Sequence, residues 1–124
     1  MAGGEPEEVH VESRAEVRRW LEQHHGRPDG VWFVFVKGKG RTIDYGDVVD
    51  EAVCFGWVDS RSRSYDGTRT SLYLAPRRPT SAWSTSNVER VQRLTAAGLM
   101  TPAGVAAVEA AKESGRWPVP TGAA

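Results

Sequence analysis

Apolar positions recur along this chain with two periods, which predict a mixture of strands and helices. The apolar run 31–36 predicts a strand that is covered on both faces and therefore lies centrally in a sheet. Residues 57–65 and 68–74 alternate on either side of Asp66-Gly67, a pair typical of a tight hairpin turn. A short additional strand is expected at 9–12. Together these segments predict a small antiparallel sheet.

Four further segments carry apolar residues at helical spacing, and each begins with a capping signal. The signals are Ser13 with Glu16, Asp44 with Asp47, Ser86 with Glu89, and Thr101 followed by Pro102. They predict helices at 14–25, 45–55, 86–97 and 102–114, and Gly56 is placed to end the second one. In the last helix Val105, Val108 and Ala111 are expected to face inward. The predicted fold class is α+β, with about three to four strands covered by about four helices and a C-terminal helical pair.

The length of 124 residues fits one domain, which we place at 9–117, with flexible tails at 1–8 and 118–124. Cys54 is the only cysteine, so an intramolecular disulfide and a Cys-rich metal site are excluded, and we expect no cofactor. There is no apolar run long enough to cross a bilayer, and the acidic N-terminus does not resemble a signal peptide. We therefore expect a cytoplasmic location without membrane insertion.

The formal net charge is zero, which argues against a protein that is held to nucleic acid mainly by phosphate neutralisation. The positive charge is nevertheless concentrated in the middle of the chain. Seven arginines lie there: Arg61, Arg63, Arg69, Arg77, Arg78, Arg90 and Arg93. A basic surface formed by the segment 61–93 is therefore a possible nucleic-acid contact.

The most informative candidate site is the proline-flanked segment Arg77-Arg78 together with Trp83, Ser84, Asn87 and Arg90. Arginine binds carboxylate or phosphate with two parallel hydrogen bonds, tryptophan offers a flat stacking face, and the free amides at a helix start favour an anion. We expect this segment to face the corner at 57–59, where Trp57 and Asp59 would complete a ligand cleft. The alternative is structural: the arginines tie the loop to Asp59, and Trp83 fills the core.

Other residues carry two interpretations each. Cys54 is either a core residue or an activated nucleophile. Glu51 and Asp59 form either a catalytic carboxylate pair or separate structural ion pairs with arginines. Trp32, Trp57 and Trp83 could share an aromatic pocket. The glycine-rich segment 37–41 lacks the spacing of a phosphate-binding motif and is interpreted as a solvated loop.

Three ordered motifs resemble the bacterial YdeI/OmpD-associated family, whose members are also called bacteriocin-protection proteins. They are Asp50-Glu51-Ala52-Val53-Cys54-Phe55-Gly56-Trp57-Val58-Asp59, Pro76-Arg77-Arg78-Pro79 with Ser81, Trp83, Ser84 and Asn87, and Gly98-Leu99-Met100-Thr101-Pro102-Ala103-Gly104. Ala82, Thr85 and Ser86 depart from the family pattern. The resemblance implies a role in antimicrobial resistance or stress, and it supplies no catalytic residues.

We therefore expect a non-catalytic protein that binds an aromatic or anionic small molecule or peptide, for example an antimicrobial, in a Trp/Arg-lined cleft. The first alternative is a small enzyme in which Asp59 or Glu51 acts as general base and Arg77 or Arg78 stabilises an anion. The second alternative is nucleic-acid binding through the segment 61–93.

Overall fold

The computed structural model describes residues 7–118, which form a four-stranded sheet and four helices. The strands are β1 (Glu8–His10), β2 (Val31–Val36), β3 (Trp57–Ser64) and β4 (Arg69–Pro76). The helices are α1 (Arg14–His24), α2 (Tyr45–Cys54), α3 (Thr85–Ala96) and α4 (Pro102–Glu113). The predicted α+β class and the C-terminal helical pair are confirmed. Most of both predicted tails, at 1–6 and 119–124, lies outside the described residues.

The strand order in the sheet is β1-β2-β4-β3, so β2 is an inner strand, as its apolar run predicts. β4 is antiparallel to both β2 and β3. β1 is parallel to β2, because α1 crosses over between them, so the sheet is mixed and the prediction of a fully antiparallel sheet is wrong for this strand. Glu8 already belongs to β1, although the sequence places it in the N-terminal tail.

The helices cover one face of this sheet, and the main core lies between them. Phe33 on β2 and Leu72 on β4 pack there with Leu21 from α1 and Val48 from α2. Trp32 and Val34 alternate with these residues along β2 and are also buried, yet they lie outside this core. The opposite face of the sheet must therefore be covered by side chains rather than by a helix.

The contact between α2 and α4 depends on two glycines. Gly56 has a φ of 78°, which allows the chain to turn from α2 into β3. A Cβ atom at Gly104 would lie 2.2 Å from the carbonyl oxygen of Cys54, so α4 approaches α2 through this residue. The close approach turns Val105 outward, where it is 48% exposed. The prediction that Val105 faces inward is therefore wrong, although Val108 and Ala111 are buried as expected.

The start of α3 also differs from the prediction. Its N-cap is Ser84, whose hydroxyl oxygen accepts a hydrogen bond from the backbone N–H of Asn87 at 3.1 Å. The hydroxyl of Ser86 instead lies 3.0 Å from that of Ser84. Each serine has a polar residue three positions later, Asn87 after Ser84 and Glu89 after Ser86, so the local sequence allows either serine to be the N-cap. The path of the preceding loop decides that the helix begins after Ser84.

Candidate functional site

The two segments that the sequence places around a cleft are neighbours. The backbone N–H of Arg77 donates to the carbonyl oxygen of Gly56 at 3.0 Å, just before β3 begins. Trp57 pairs with Pro76 in the sheet, so the first residues of β3 and the segment after β4 lie side by side. Pairing of the two strands of the hairpin produces this arrangement.

Arg77 occupies an unusual position in this region. Its guanidinium lies over the ring of Trp83, 3.6 Å from the centroid, and Nη1 donates to the carbonyl oxygen of Ala82 at 2.9 Å. Nε and Nη2 are shielded from solvent and have no hydrogen-bond partner within residues 7–118. Burial lowers the pKa of Arg77 to about 10, although the charge of Asp59 opposes this decrease. Arg77 is thus a desolvated cation with two unused donors.

Asp59 lies within electrostatic range of Arg77, but its hydrogen bond comes from another residue. The hydroxyl of Tyr45, at the first position of α2, donates to Asp59 Oδ2 at 2.9 Å. Burial, this hydrogen bond and the charge of Asp59 raise the pKa of Tyr45 to about 12. The ring of Tyr45 is 48% exposed at the surface. No sequence pattern marks Tyr45 as a site residue, because its contact with Asp59 depends on how α2 packs against β3.

Trp57 does not line an open cleft. Its side chain is buried, and Nε1 donates to the carbonyl oxygen of His25 at 3.0 Å. Its ring meets the edge of Trp20 at 5.9 Å, whereas Trp83 packs against Trp117 at 5.1 Å. Trp32 packs against Tyr73, which follows the buried Leu72 on β4 and so points to the other face of the sheet. The predicted pocket shared by Trp32, Trp57 and Trp83 is therefore wrong.

Three other predicted site residues have simpler surroundings. Ser84 and Asn87 form the N-cap of α3, which explains their presence without a ligand. The side chain of Arg78 is exposed and makes no hydrogen bond or ion pair within the described part of the chain. Its backbone N–H donates to the hydroxyl oxygen of Ser81 at 2.9 Å, which closes a turn in the loop.

Arg90 belongs to an ion-pair network centred on Asp50, which is only 4% exposed. Arg90 Nη1 lies 2.5 Å from Asp50 Oδ1, and Arg93 donates to both carboxylate oxygens at 2.8 and 3.1 Å. Burial alone would raise the pKa of Asp50, but the hydrogen bonds from Arg93 and Arg90 outweigh it and lower the pKa. Arg90 therefore fastens α3 to α2.

Glu51, the next residue on α2, is held in the same way by α1. Its oxygens accept from Arg14 Nε at 2.5 Å and from Arg18 Nη1 at 2.9 Å, and the side chain is 2% exposed. The structural ion-pair interpretation of Glu51 is confirmed, and no direct contact with Asp59 is present within residues 7–118. No group of His, Cys, Asp and Glu side chains in that range could hold a metal ion.

Cys54 lies at the end of α2 and is fully buried in the main core. Burial raises the pKa of the Cys54 thiol, and the charge of Glu51 adds to the increase. A protonated, inaccessible thiol is a poor nucleophile, so core packing accounts for this residue.

The glycine-rich loop after β2 borders a shallow depression of about 350 Å³. Gly38 and Gly40 adopt positive φ values of 68° and 87° there. Lys39 and Arg41 line the same depression together with Asp44 and Asp47, and Arg41 pairs with Asp44 at 2.5 Å, so the positive charges that would attract a phosphate are balanced by the two carboxylates. This arrangement favours the interpretation as a solvated loop.

The comparisons with known proteins identify a family without a known activity. A family model described as a domain of unknown function, DUF8412, matches residues 9–107. The chain belongs to this family. The DUF8412 match includes the sheet except for Glu8 at the start of β1, together with α1 to α3 and every candidate site residue named above. No curated protein and no solved structure matches the chain. Kinship with the YdeI/OmpD-associated family stays a prediction.

Among residues 7–118, every helix is too short or too polar to cross a bilayer.

Proposed function

We propose that this protein is a non-catalytic binding protein that takes an anionic aromatic small molecule or peptide at Arg77, between the start of β3 and the loop 77–87. The observation that carries the proposal is the guanidinium of Arg77, which is buried on Trp83 with Nε and Nη2 unpaired. Leaving a buried donor without a partner costs about 1–3 kcal/mol per group. A carboxylate or phosphate that accepts from both nitrogens would remove this cost.

The neighbouring residues support an aromatic part in the ligand. Tyr45 and Arg77 both lie near the carboxylate of Asp59, so the exposed ring of Tyr45 belongs to the same region. Its hydroxyl is held by Asp59, which fixes the ring before a ligand arrives. The anionic group would contact Arg77, while a planar ring would pack against Tyr45.

Access to Arg77 requires movement of the loop. Nε and Nη2 are shielded from solvent, so we expect the segment 78–82 to shift when an anion binds. That segment is exposed over 78–80, and it is closed by two hydrogen bonds between Arg78 and Ser81. Two further hydrogen bonds hold the segment, from Ser114 Oγ to the carbonyl oxygen of Pro79 and from Arg77 Nη1 to that of Ala82, each at 2.9 Å, and the shift has to break or rearrange them.

The experiment is a titration followed by intrinsic tryptophan fluorescence, because Trp83 touches the proposed anion site. The ligands are benzoate, phenyl phosphate and a panel of antibiotics that carry an aromatic ring and an acidic group. We expect at least one ligand to change the spectrum and Arg77→Met to weaken its binding about tenfold or more, since hydrogen bonds to charged groups contribute about 1.5–3 kcal/mol.

Arg78→Met is the matched control, because it removes the same charge from the adjacent position where the side chain is exposed. We expect it to change the affinity by less than about twofold. Unchanged spectra across the whole panel, or equal weakening by both variants, would contradict the proposal.

We also propose a biological setting in antimicrobial resistance, self-protection or stress, which is supported by the motif resemblance alone. The test is expression of the protein in a sensitive bacterium, with growth inhibition measured against the antibiotics that bind. Wild type should raise the inhibitory concentration, and Arg77→Met should not. Equal protection by wild type and Arg77→Met would mean that the resistance role does not depend on ligand binding at Arg77.

A further inference from the structure

The face of the sheet opposite the helices has a composition of its own, which we call the outer face. Strand register places Trp32, Val34 and Val36 of β2 and Arg69, Ser71 and Tyr73 of β4 on it. Arg61 pairs with Tyr73 and Arg63 pairs with Ser71, so both arginines reach the same face from β3. The register shift between Asp59 and Arg61 leaves Asp59 on the helix side and turns these two arginines outward.

The arginines of the outer face lie on aromatic rings. The guanidinium carbon of Arg63 is 4.0 Å from the centroid of Trp32. That of Arg61 is 5.4 Å from Trp32 and 5.2 Å from Tyr73, and the two rings are 5.3 Å apart. Trp32 is only 3% exposed, whereas Arg61 and Arg63 are exposed. The two arginines thus lie close to the rings and are themselves exposed to solvent.

The charges of these two arginines are poorly compensated. Arg61 has no carboxylate within 4 Å in the described part of the chain, and the nearest partner of Arg63 is Glu8 at 4.0 Å. Neither guanidinium donates a hydrogen bond within residues 7–118. By contrast, Arg93 lies 2.8 Å from Asp50, and Arg69 at the margin of the outer face lies 2.7 Å from Asp66. The uncompensated positive charge of this face is therefore concentrated at Arg61 and Arg63.

We propose that the outer face binds a short single-stranded nucleic acid through Arg61 and Arg63. A guanidinium fixed on a ring offers a plane on which an unpaired base stacks, and its N–H groups remain free for phosphate oxygens. Binding of a simple inorganic anion would need only the positive charge of the arginines. Docking of an apolar partner would need aromatic rings that are exposed. Exposed arginines above the buried Trp32 and the half-buried Tyr73 fit a ligand that is planar and anionic at each repeat unit.

The surface is smaller than the segment 61–93 that the sequence suggests. Arg90 and Arg93 pair with Asp50 on the helix side, and Arg77 is buried on Trp83. We therefore expect weak binding of a few nucleotides, in agreement with the zero net charge. With two phosphates neutralised, raising the salt from about 50 to about 200 mM should weaken binding about sevenfold.

The experiment measures fluorescence anisotropy of end-labelled ten-nucleotide oligo-dT and oligo-U at low salt as protein is added. The variants are Arg61→Gln, Arg61→Lys and Arg63→Gln, with thermal unfolding as a check on folding. Arg61→Gln should weaken binding about tenfold, since stacking and phosphate contact are lost together. Arg61→Lys keeps the charge but not the plane, so it should retain the salt dependence and still lose several-fold in affinity.

Arg116→Gln is the control, because it removes one exposed positive charge after α4, away from the sheet. We expect the affinity of this variant to stay within about twofold of wild type. An absence of anisotropy change at about 100 µM protein and low salt would overturn the proposal, and so would equal weakening by Arg116→Gln and Arg61→Gln. Concentration-dependent dimerisation that Arg61→Gln abolishes, without oligonucleotide binding, would assign the face to a second copy instead.

Discussion

Arg77 and Arg78 are adjacent in the sequence, but their side chains have opposite surroundings. Arg77 is stacked on Trp83 and partly unpaired, whereas Arg78 is exposed. The sequence places both in a ligand site, because their chemistry and their flanking prolines are the same. Alternation along an extended segment separates neighbouring side chains, but it does not indicate which one points inward.

Replacing Arg77 by methionine distinguishes a binding residue from a structural one. The variant loses the hydrogen bond to Ala82 and the cation–π contact, but it also removes two unpaired buried donors and keeps an apolar side chain on Trp83. These effects oppose each other, so the free energy of unfolding should change by less than about 1 kcal/mol. Urea unfolding of wild type and Arg77→Met measures this. A loss of several kcal/mol would mean that Arg77 mainly holds the loop in place.

At the level of secondary structure elements, α2 is the centre of the helical layer. Asp50 and Glu51 are consecutive, and the 100° rotation between helical neighbours points them in different directions. Asp50 pairs with Arg90 and Arg93 of α3, and Glu51 pairs with Arg14 and Arg18 of α1. Two buried acids on one helix therefore fix the positions of both neighbouring helices.

Asp50→Asn should destabilise the protein by about 2–4 kcal/mol. The substitution removes the negative charge that compensates the partly buried guanidinium of Arg90. The pKa of folded Asp50 is lowered below its ordinary value of 3.8, so its stabilising contribution is present above that pH. It is lost as the pH falls through the folded pKa. Urea unfolding at several pH values should therefore show the difference between wild type and variant shrinking in acid.

The matched control for Asp50→Asn is Glu109→Gln, which removes a negative charge from an exposed position of α4. Its free energy of unfolding should stay within about 0.5 kcal/mol of wild type. A similar loss in both variants, or a difference for Asp50→Asn that is independent of pH, would contradict the role given to the ion pairs.

On the scale of the whole molecule, the sheet separates two surfaces. Arg77, Asp59 and Tyr45 lie on the side of the helices, and Arg61 with Arg63 lies on the outer face. The bulge between Asp59 and Arg61 produces this division within three residues of β3. The two proposed sites therefore share no side chain.

This separation predicts independent effects of mutation. Arg77→Met should weaken binding of the small anion about tenfold or more and leave oligonucleotide affinity unchanged, and Arg61→Gln should do the reverse. For each ligand, the affinity of the double variant should match that of the single variant that affects it within about 0.5 kcal/mol, because mutations without shared partners are usually independent. Titrations of all four proteins with both ligands measure the coupling. A coupling larger than that would mean that the surfaces communicate through the sheet.

The sequence by itself determined the α+β class, the central strand at 31–36, the hairpin at Asp66-Gly67 and three of the four helix caps. These features depend on periodicity, turn residues and hydrogen bonds within a few positions, which are local properties. The inward apolar positions of α1 and α2 follow from the same local pattern.

Only the tertiary structure decided which arginine is buried, where each tryptophan packs and which face of α4 is inside. Val105 points outward because Gly104 meets Cys54, which lies 50 positions earlier in the chain. Glu51 is neutralised by Arg14 and Arg18, whose distance from it in the sequence gives no pairing signal. Burial and charge pairing depend on contacts between distant elements, and a periodic pattern contains no information about which elements meet.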